Sequence, residues 1–261
     1  MTIEPQRYFA EKIAGDRFAV HTVVPAGQSP ETYDPAPHEM IRLARSRAYL
    51  RIGRIGFEEA WMQTIRENNP HLAFFDLSEG ICWIRNDAAH EDGAAHAYAH
   101  HAHCKEDPHI WNATAGARII ARNTLQAFVS LDPAEEAVYR ANYGQLLREI
   151  DGTERVLHEL LDTLTCRTFI IHHPALTYFA DEFRLTQLAI ESEGREPSAA
   201  SMKTLVDRAR EANVRVVFVQ QEFDRKHAEQ VAKEIGARVV TINPLDVHWR
   251  EQMILIARSL L

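Results

Sequence analysis

The fold class is decided most clearly by residues 214–242, which read VRVVFVQQEFDRKHAEQVAKEIGARVVTI. Two apolar runs rich in β-branched residues, 214–220 and 238–242, predict strands, and the polar segment 225–235 between them predicts a helix. A strand, a helix and a second strand in this order predict a parallel strand pair that is covered by the helix.

The same alternation extends in both directions along the chain. Strands are predicted at residues 18–24, 49–52, 72–77, 81–84, 168–172 and 185–190. Helices are predicted at residues 37–47, 197–212 and 247–260, and around Phe57, Trp61 and Ile65, which recur every four residues. Between the two halves, residues 133–166 are polar and periodic, which predicts one long helix with a weak point at Gly152.

These elements predict an α/β protein of two lobes, each a roughly four-stranded parallel sheet flanked by helices, joined by a long rigid linking helix. We expect an N-terminal lobe over residues 1–132, a linking helix over 133–165 and a C-terminal lobe over 166–261. The chain of 261 residues is long enough for two modest cores.

Composition restricts the classes of partner. The net charge of −8 argues against nucleic acid, whose phosphates require a basic face, and suits a small cation better. Cys82, Cys104 and Cys166 are far apart and show no CxxC spacing, so neither a disulfide framework nor a thiolate zinc cluster is indicated, although one pair could still form a bridge. No apolar run approaches the roughly 18 residues of a membrane span, and no export signal is recognisable.

Histidines concentrate in one stretch. Five of the 14 lie between residues 90 and 103, namely His90, His96, His100, His101 and His103. No apolar periodicity protects this stretch, so we expect a solvated loop whose imidazoles bind Zn²⁺ weakly and reversibly. The alternative is a tract without function.

Three further residues are predicted to follow strands or to lie close to strand ends. Glu31 comes after the first strand, His109 directly after the histidine-rich stretch, and His173 at the end of the first strand of the second half. The carboxyl ends of parallel strands line the ligand crevice of α/β proteins, so these residues are candidates for one site. Any one alone would more often be a surface residue or a satisfied core residue.

At these segments the chain resembles the solute-binding proteins of zinc and manganese ABC importers. The resemblance covers nearly the whole length, and its carriers are residues 27–37, 56–58, 107–111, 173–179, 193–198 and 242–245 together with the histidine-rich insertion. It implies a metal bound between the lobes, Zn²⁺ as a transported ligand, delivery to a membrane permease, and a location in the periplasm or on a lipid anchor outside the cytoplasmic membrane. We expect a monomer.

Two positions depart from the family pattern. Glu31 stands where the family usually has its first histidine ligand, and Asn243 stands where many members have an acidic fourth ligand. Glu222, just beyond a predicted strand, is a second candidate for the fourth ligand. The expected metal ligands are therefore Glu31, His109 and His173, with Glu222 or Asn243 completing the set, and His172 and Tyr178 in supporting positions.

Two imidazoles with one or two carboxylates suit Zn²⁺, whereas a manganese site would be richer in oxygen. The same ligands occur in zinc hydrolases and lyases, but the chain has no HExxH or GxSxG motif, so we expect no enzyme. A metal-buffering adhesin of the same fold is a further alternative.

Overall fold

The computed structural model describes residues 1–85, 106–191 and 197–261. The histidine-rich stretch from His90 to His103, Cys104 and most of the 193–198 family segment lie outside these ranges. No helix among the described residues is long and apolar enough to cross a lipid bilayer.

The first half contains a parallel strand pair with helices around it. Strand β1 runs alongside β2, with Ala48 opposite Ala73 and Arg51 opposite Asp76. The elements in chain order are α1 (Glu4–Ala14), α2 (Pro37–Ala44), β1 (Ala48–Arg51), α3 (Gly56–Asn68), β2 (Ala73–Asp76) and α4 (Thr114–Leu131).

The second half is built on a four-stranded parallel sheet with the strand order β4-β3-β5-β6. Its elements are β3 (Thr168–Ile171), α6 (Thr177–Glu182), β4 (Thr186–Ala189), α7 (Ala199–Glu211), β5 (Val216–Gln220), α8 (Lys226–Ile235), β6 (Arg238–Ile242) and α9 (Trp249–Arg258). The side chains of the central strands alternate between two cores: Phe169 and Phe218 face the large core of the molecule, while Ile170 and Val217 face a smaller core with α7 and α8. Burial on both faces explains why these strands are apolar almost throughout.

One long helix, α5 (Glu136–Leu161), connects the halves. Its 26 residues span about 39 Å. The helix continues through Gly152 without a break. The C-terminal helix α9 returns to pack on α5 and α1, where Trp249 contacts Phe9 with ring centroids 5.5 Å apart. The large core is consequently continuous across both halves.

Two helices of the first half were not predicted. The first turn of α1 contains Glu4, Pro5 and Gln6, but its N-cap residue is Ile3, which supplies no side-chain cap. Helix α4 places polar residues, including Asn123 and Thr124, on its buried face, so its apolar pattern is interrupted. Neither helix was predicted, because the prediction relied on apolar periodicity.

The predicted fold class is confirmed, with two parallel sheets flanked by helices and a long linking helix, but the first sheet is smaller than expected. Residues 18–24 do not form a strand among the described elements: Val23 and Val24 each donate one backbone hydrogen bond, to Met1 and Thr2 respectively, and their side chains fill the core. Residues 81–84 likewise form no strand: within the described ranges, the pairing at this place is an isolated bridge of Arg85 with Glu106 and a hydrogen bond from the N–H of Asp107 to the carbonyl of Ile84 (2.8 Å). Apolar β-branched residues indicate that a segment is buried, but a strand also needs a neighbouring strand to pair with.

Candidate metal centre

His109 is held in a tight turn by its neighbour Asp107. The buried carboxylate Oδ1 of Asp107 accepts hydrogen bonds from the backbone N–H of His109 (2.8 Å) and from its ring Nδ1 (2.8 Å). A hydrogen bond on Nδ1 fixes the ring orientation and leaves Nε2 as the nitrogen available to a metal. Burial alone would lower the pKa of His109, but the charge and hydrogen bond of Asp107, together with the charges of Glu31 and Glu222, raise that pKa.

The His109 segment belongs to the first half but is fixed to the second. The indole Nε1 of Trp111 donates to the carbonyl of Pro244 (2.8 Å), and the amide of Asn112 donates to the carbonyl of Ala175 (2.9 Å). The hydroxyl of Tyr178 donates to the carbonyl of Asp107 (3.1 Å), so Tyr178 supports the turn that carries His109.

His173 lies where the chain leaves the sheet after β3. Its Nδ1 is 2.9 Å from Oε1 of Glu191, and its ring stacks on Phe223 with centroids 5.6 Å apart. His109 and His173 therefore share one arrangement, in which a carboxylate holds Nδ1 and Nε2 remains for a ligand. The adjacent His172 packs against Phe223, and its Nε2 lies 3.9 Å from Glu191.

The two histidines meet at the boundary between the halves. Their Nε2 atoms are 3.3 Å apart. Two nitrogens bound to one tetrahedral zinc at about 2.0 to 2.1 Å lie about 3.3 to 3.4 Å from each other. The same distance fits one imidazole donating a hydrogen bond to the other, so the separation suits either a shared metal ion or a direct hydrogen bond between the rings.

Glu31 reaches this boundary from a loop, and not from the end of a strand as predicted. Its Oε2 accepts a hydrogen bond from the backbone N–H of Gly56 at the start of α3 (3.2 Å). Its Oε1 is buried and has no hydrogen-bond partner among the described residues. A buried oxygen without a partner is costly, and a cation would satisfy it.

A cavity of about 10 Å³ collects the candidate ligands, which is the space of one water-sized group. Glu31, His109, His173 and Glu222 all line it. Burial raises the pKa of Glu222, against the opposing effects of its own backbone N–H and of the two histidines. The other lining residues are Ser29, Pro30, Trp111, Ala175, Phe223, Pro244 and Leu245.

Asn243, the alternative fourth ligand, is not among the residues that line the cavity. Its Oδ1 accepts from the backbone N–H of Leu245 (3.2 Å), and its Nδ2 lies 3.2 Å from Oδ2 of Asp246. Both ends of this amide are thus engaged in a local turn.

As described, residues 1–85, 106–191 and 197–261 contain no group of three or more His, Cys, Asp or Glu side chains that could hold a metal ion.

Asp107 and Glu191, which orient the two histidines, were not singled out from the sequence. Asp107 had a signal, because an acidic residue two positions before a histidine can cap its turn. Glu191 had a weaker one, since it follows β4, the neighbour of β3 in the sheet.

Comparison with known proteins identifies the family. The family model for the periplasmic zinc-uptake complex component A, ZnuA, matches residues 1–253. The high-affinity zinc uptake system protein ZnuA of Bacillus subtilis (strain 168) is 26% identical over 96% of this chain and 79% of its own length. The manganese ABC transporter substrate-binding lipoprotein PsaA of Streptococcus anginosus is 24% identical over 86% of this chain and 72% of its own.

A crystal structure of ZnuA superimposes with a TM-score of 0.90 at 34% identity and covers 99% of this chain and 95% of its own. The predicted resemblance and the location outside the cytoplasmic membrane are thereby confirmed. The chain belongs to this family of periplasmic solute-binding proteins of metal-importing ABC transporters, and it is not an enzyme.

Proposed function

We propose that this protein captures one Zn²⁺ ion through Glu31, His109, His173 and Glu222 and delivers it, as a monomer, to the permease of an ABC importer. The observation that carries the proposal is the 3.3 Å separation of the two histidine Nε2 atoms beside two carboxylates that line the same small cavity. Each imidazole is oriented by its own carboxylate, as is usual for metal-binding histidines.

The donor set supports zinc over manganese. Two nitrogens and two carboxylate oxygens make a tetrahedral set that suits Zn²⁺, whereas Mn²⁺ favours sites built from oxygen. Two ionised carboxylates also balance the charge of one divalent cation in a buried place, where an unpaired charge would be costly. The structural likeness to ZnuA at 34% identity supports the same choice.

Glu222 is the better candidate for the fourth ligand. It lines the cavity, whereas the amide of Asn243 is used in its own turn. Glu31 then replaces a family histidine with a carboxylate, and the two glutamates together neutralise the charge of Zn²⁺.

The test is zinc affinity, measured by competition with a chromophoric chelator. We expect His173→Ala and His109→Ala to weaken zinc binding by more than the about 10- to 100-fold that loss of an orienting partner costs. Glu31→Ala and Glu222→Ala should weaken it clearly, Glu31→His should keep it, and Asn243→Ala should leave it unchanged.

His248→Ala is the matched control for these variants. Its side chain is 73% exposed and paired with Asp246, and it does not line the cavity. Wild-type affinity in His173→Ala would remove His173 from the ligand set. Transfer of zinc to the purified permease with its ATPase separates an importer component from a metal-buffering adhesin, which would bind zinc equally well but transfer none.

We further propose that the loop from His90 to His103 gathers zinc weakly for the tight site. Five imidazoles within 14 residues favour rapid, exchangeable binding. The division of the chain at residues 132 and 165 stays a prediction.

A further inference from the structure

Gln220 ends strand β5 and is buried, with 1% of its surface exposed. Its side-chain amide forms hydrogen bonds with both backbone groups of His173, the N–H and the carbonyl. Nε2 donates to the carbonyl of His173 (2.7 Å), and Oε1 accepts from the backbone N–H of His173 (3.3 Å). The side chain of a residue 47 positions away thus satisfies both backbone groups of a candidate metal ligand.

The need for this contact follows from how β3 ends. The last backbone hydrogen bond from this segment to β5 is donated by His172 to Phe218 (2.9 Å). Pro174 follows His173 and has no N–H to donate. The carbonyl of His173 also accepts from the N–H of Ala175 (2.7 Å), whereas its N–H is satisfied by the amide of Gln220. Buried backbone groups without partners are costly, so Gln220 takes the place of a ladder partner for this N–H, adds a second donor to the carbonyl, and holds His173 at the cavity.

The backbone of Gln220 supports the same place a second time. Its carbonyl accepts from the N–H of Phe223 (3.1 Å), which closes a turn that contains Glu222. The ring of Phe223 in that turn is nearly parallel to the ring of His173, with 21° between the planes. Gln220 therefore connects His173 and Glu222 to the same strand end.

Only an amide of this length meets both requirements. Glutamine offers a donor and an acceptor together, an ionised glutamate only accepts, and methionine of similar length does neither. We propose that Gln220 is a positioning residue of the metal site, which fixes the main chain of His173 relative to Glu222; this inference rests on the proposed function, because it requires His173 to be a ligand.

The test compares Gln220→Met with a matched substitution at Gln6. Gln6 is also fully buried, and its side-chain amide also bonds to backbone groups. Its Oε1 accepts from the N–H groups of Thr2 and Ile3, and its Nε2 donates to the carbonyl of Leu50. None of these residues lines the cavity. We expect Gln220→Met to weaken zinc binding about 10- to 100-fold. Gln6→Met should lower the unfolding temperature and leave zinc affinity unchanged.

A double-mutant cycle distinguishes positioning from general destabilisation. If Gln220 acts through His173, Gln220→Met should change zinc affinity by no more than about 2-fold when His173 is already alanine, because the coupled partner is gone. An equal loss in both backgrounds would overturn the inference, as would wild-type affinity in a folded Gln220→Met protein. If Gln220→Met does not fold, Gln220→Asn, whose shorter amide cannot make both contacts, is judged by the same criteria.

The two proposals fail differently. Wild-type zinc affinity in His173→Ala would remove the ligand assignment and this inference with it. If His173→Ala loses zinc affinity and Gln220→Met keeps it, the ligand assignment stands and only the positioning role of Gln220 is overturned.

Discussion

Gly56→Ala is a test of Glu31 that leaves the carboxylate itself unchanged. A Cβ atom at residue 56 would lie 2.5 Å from the carbonyl oxygen of Glu31 and 3.0 Å from both its Cα and its Oε2. The backbone φ of Gly56 is not in the left-handed region, so the substitution is resisted by this contact and not by the local backbone. Reaching an ordinary contact of 3.4 Å requires a displacement of about 0.9 Å.

That displacement is large compared with the tolerance of a metal–ligand bond, which is about 0.2 Å. We therefore expect Gly56→Ala to weaken zinc binding about as much as Glu31→Ala does, when both are measured by chelator competition. The crowding should also cost about 1 to 3 kcal/mol of folding free energy, which denaturant unfolding of the metal-free protein measures.

Gly152→Ala is the matched control, because a Cβ atom there meets nothing within 4 Å in the middle of α5. It should stabilise the protein by about 0.5 to 1 kcal/mol and leave zinc affinity unchanged. The combination Gly56→Ala with Glu31→Ala should bind zinc no more weakly than Glu31→Ala alone. A further loss in the combination, or full affinity in a folded Gly56→Ala protein, would refute the placement of Glu31 as a ligand.

Three other perturbations test separate parts of the molecule. Asp107→Ala should weaken zinc binding, measured by calorimetry, about 10- to 100-fold because it releases the ring of His109. An unchanged zinc affinity would mean that the turn orients this ring without the carboxylate. Burial raises the pKa of Glu182, which accepts from Thr114 at the start of α4, so its contribution to stability is full below its ordinary pKa of 4.5 and is lost as pH rises through the folded value. Glu182→Gln should flatten this fall in the unfolding temperature of metal-free protein, and an unchanged pH profile would contradict it. Deletion of residues 91–103 should keep one tight zinc and remove weaker binding in calorimetry, whereas loss of the tight site would mean that the loop supplies its ligands.

The second half of the fold was the more predictable from sequence. Strands β3 and β5 have apolar runs because neighbouring elements cover both of their faces, and β6 is an apolar edge strand that is only partly buried. Helix α8 between β5 and β6 has a clear polar face. Residues 18–24 were misleading for a physical reason: Val23 and Val24 fill the core as strand residues do, but the chain beside them is Met1 and Thr2, which make three main-chain hydrogen bonds with this segment and no strand ladder.

Four candidate ligands named from the sequence line one cavity, but the way in which the protein builds that cavity was not predictable. His173 follows a parallel strand, where sequence reasoning places ligands. His109 and Glu31 reach the same cavity from a turn and a loop, through contacts with Tyr178 and Gly56 that are distant in sequence. A periodic pattern reports local structure, so contacts over such separations leave no mark in it. The same holds for Glu191 and Gln220, whose roles depend on which strands become neighbours.

The contacts between the halves assign different tasks to the candidate ligands. His109 is joined to the second half by the hydrogen bonds of Trp111, Asn112 and Tyr178, none of which requires a metal. The spacing of the two histidines is therefore set by the folded protein, while Glu31 is carried by the first half, on the start of α3. On the proposed function, zinc bound by this pair of imidazoles would add a new link between the halves chiefly through Glu31. Breaking the bond to Glu31 would then remove that link, while the hydrogen bonds of Trp111, Asn112 and Tyr178 still hold His109 to the second half.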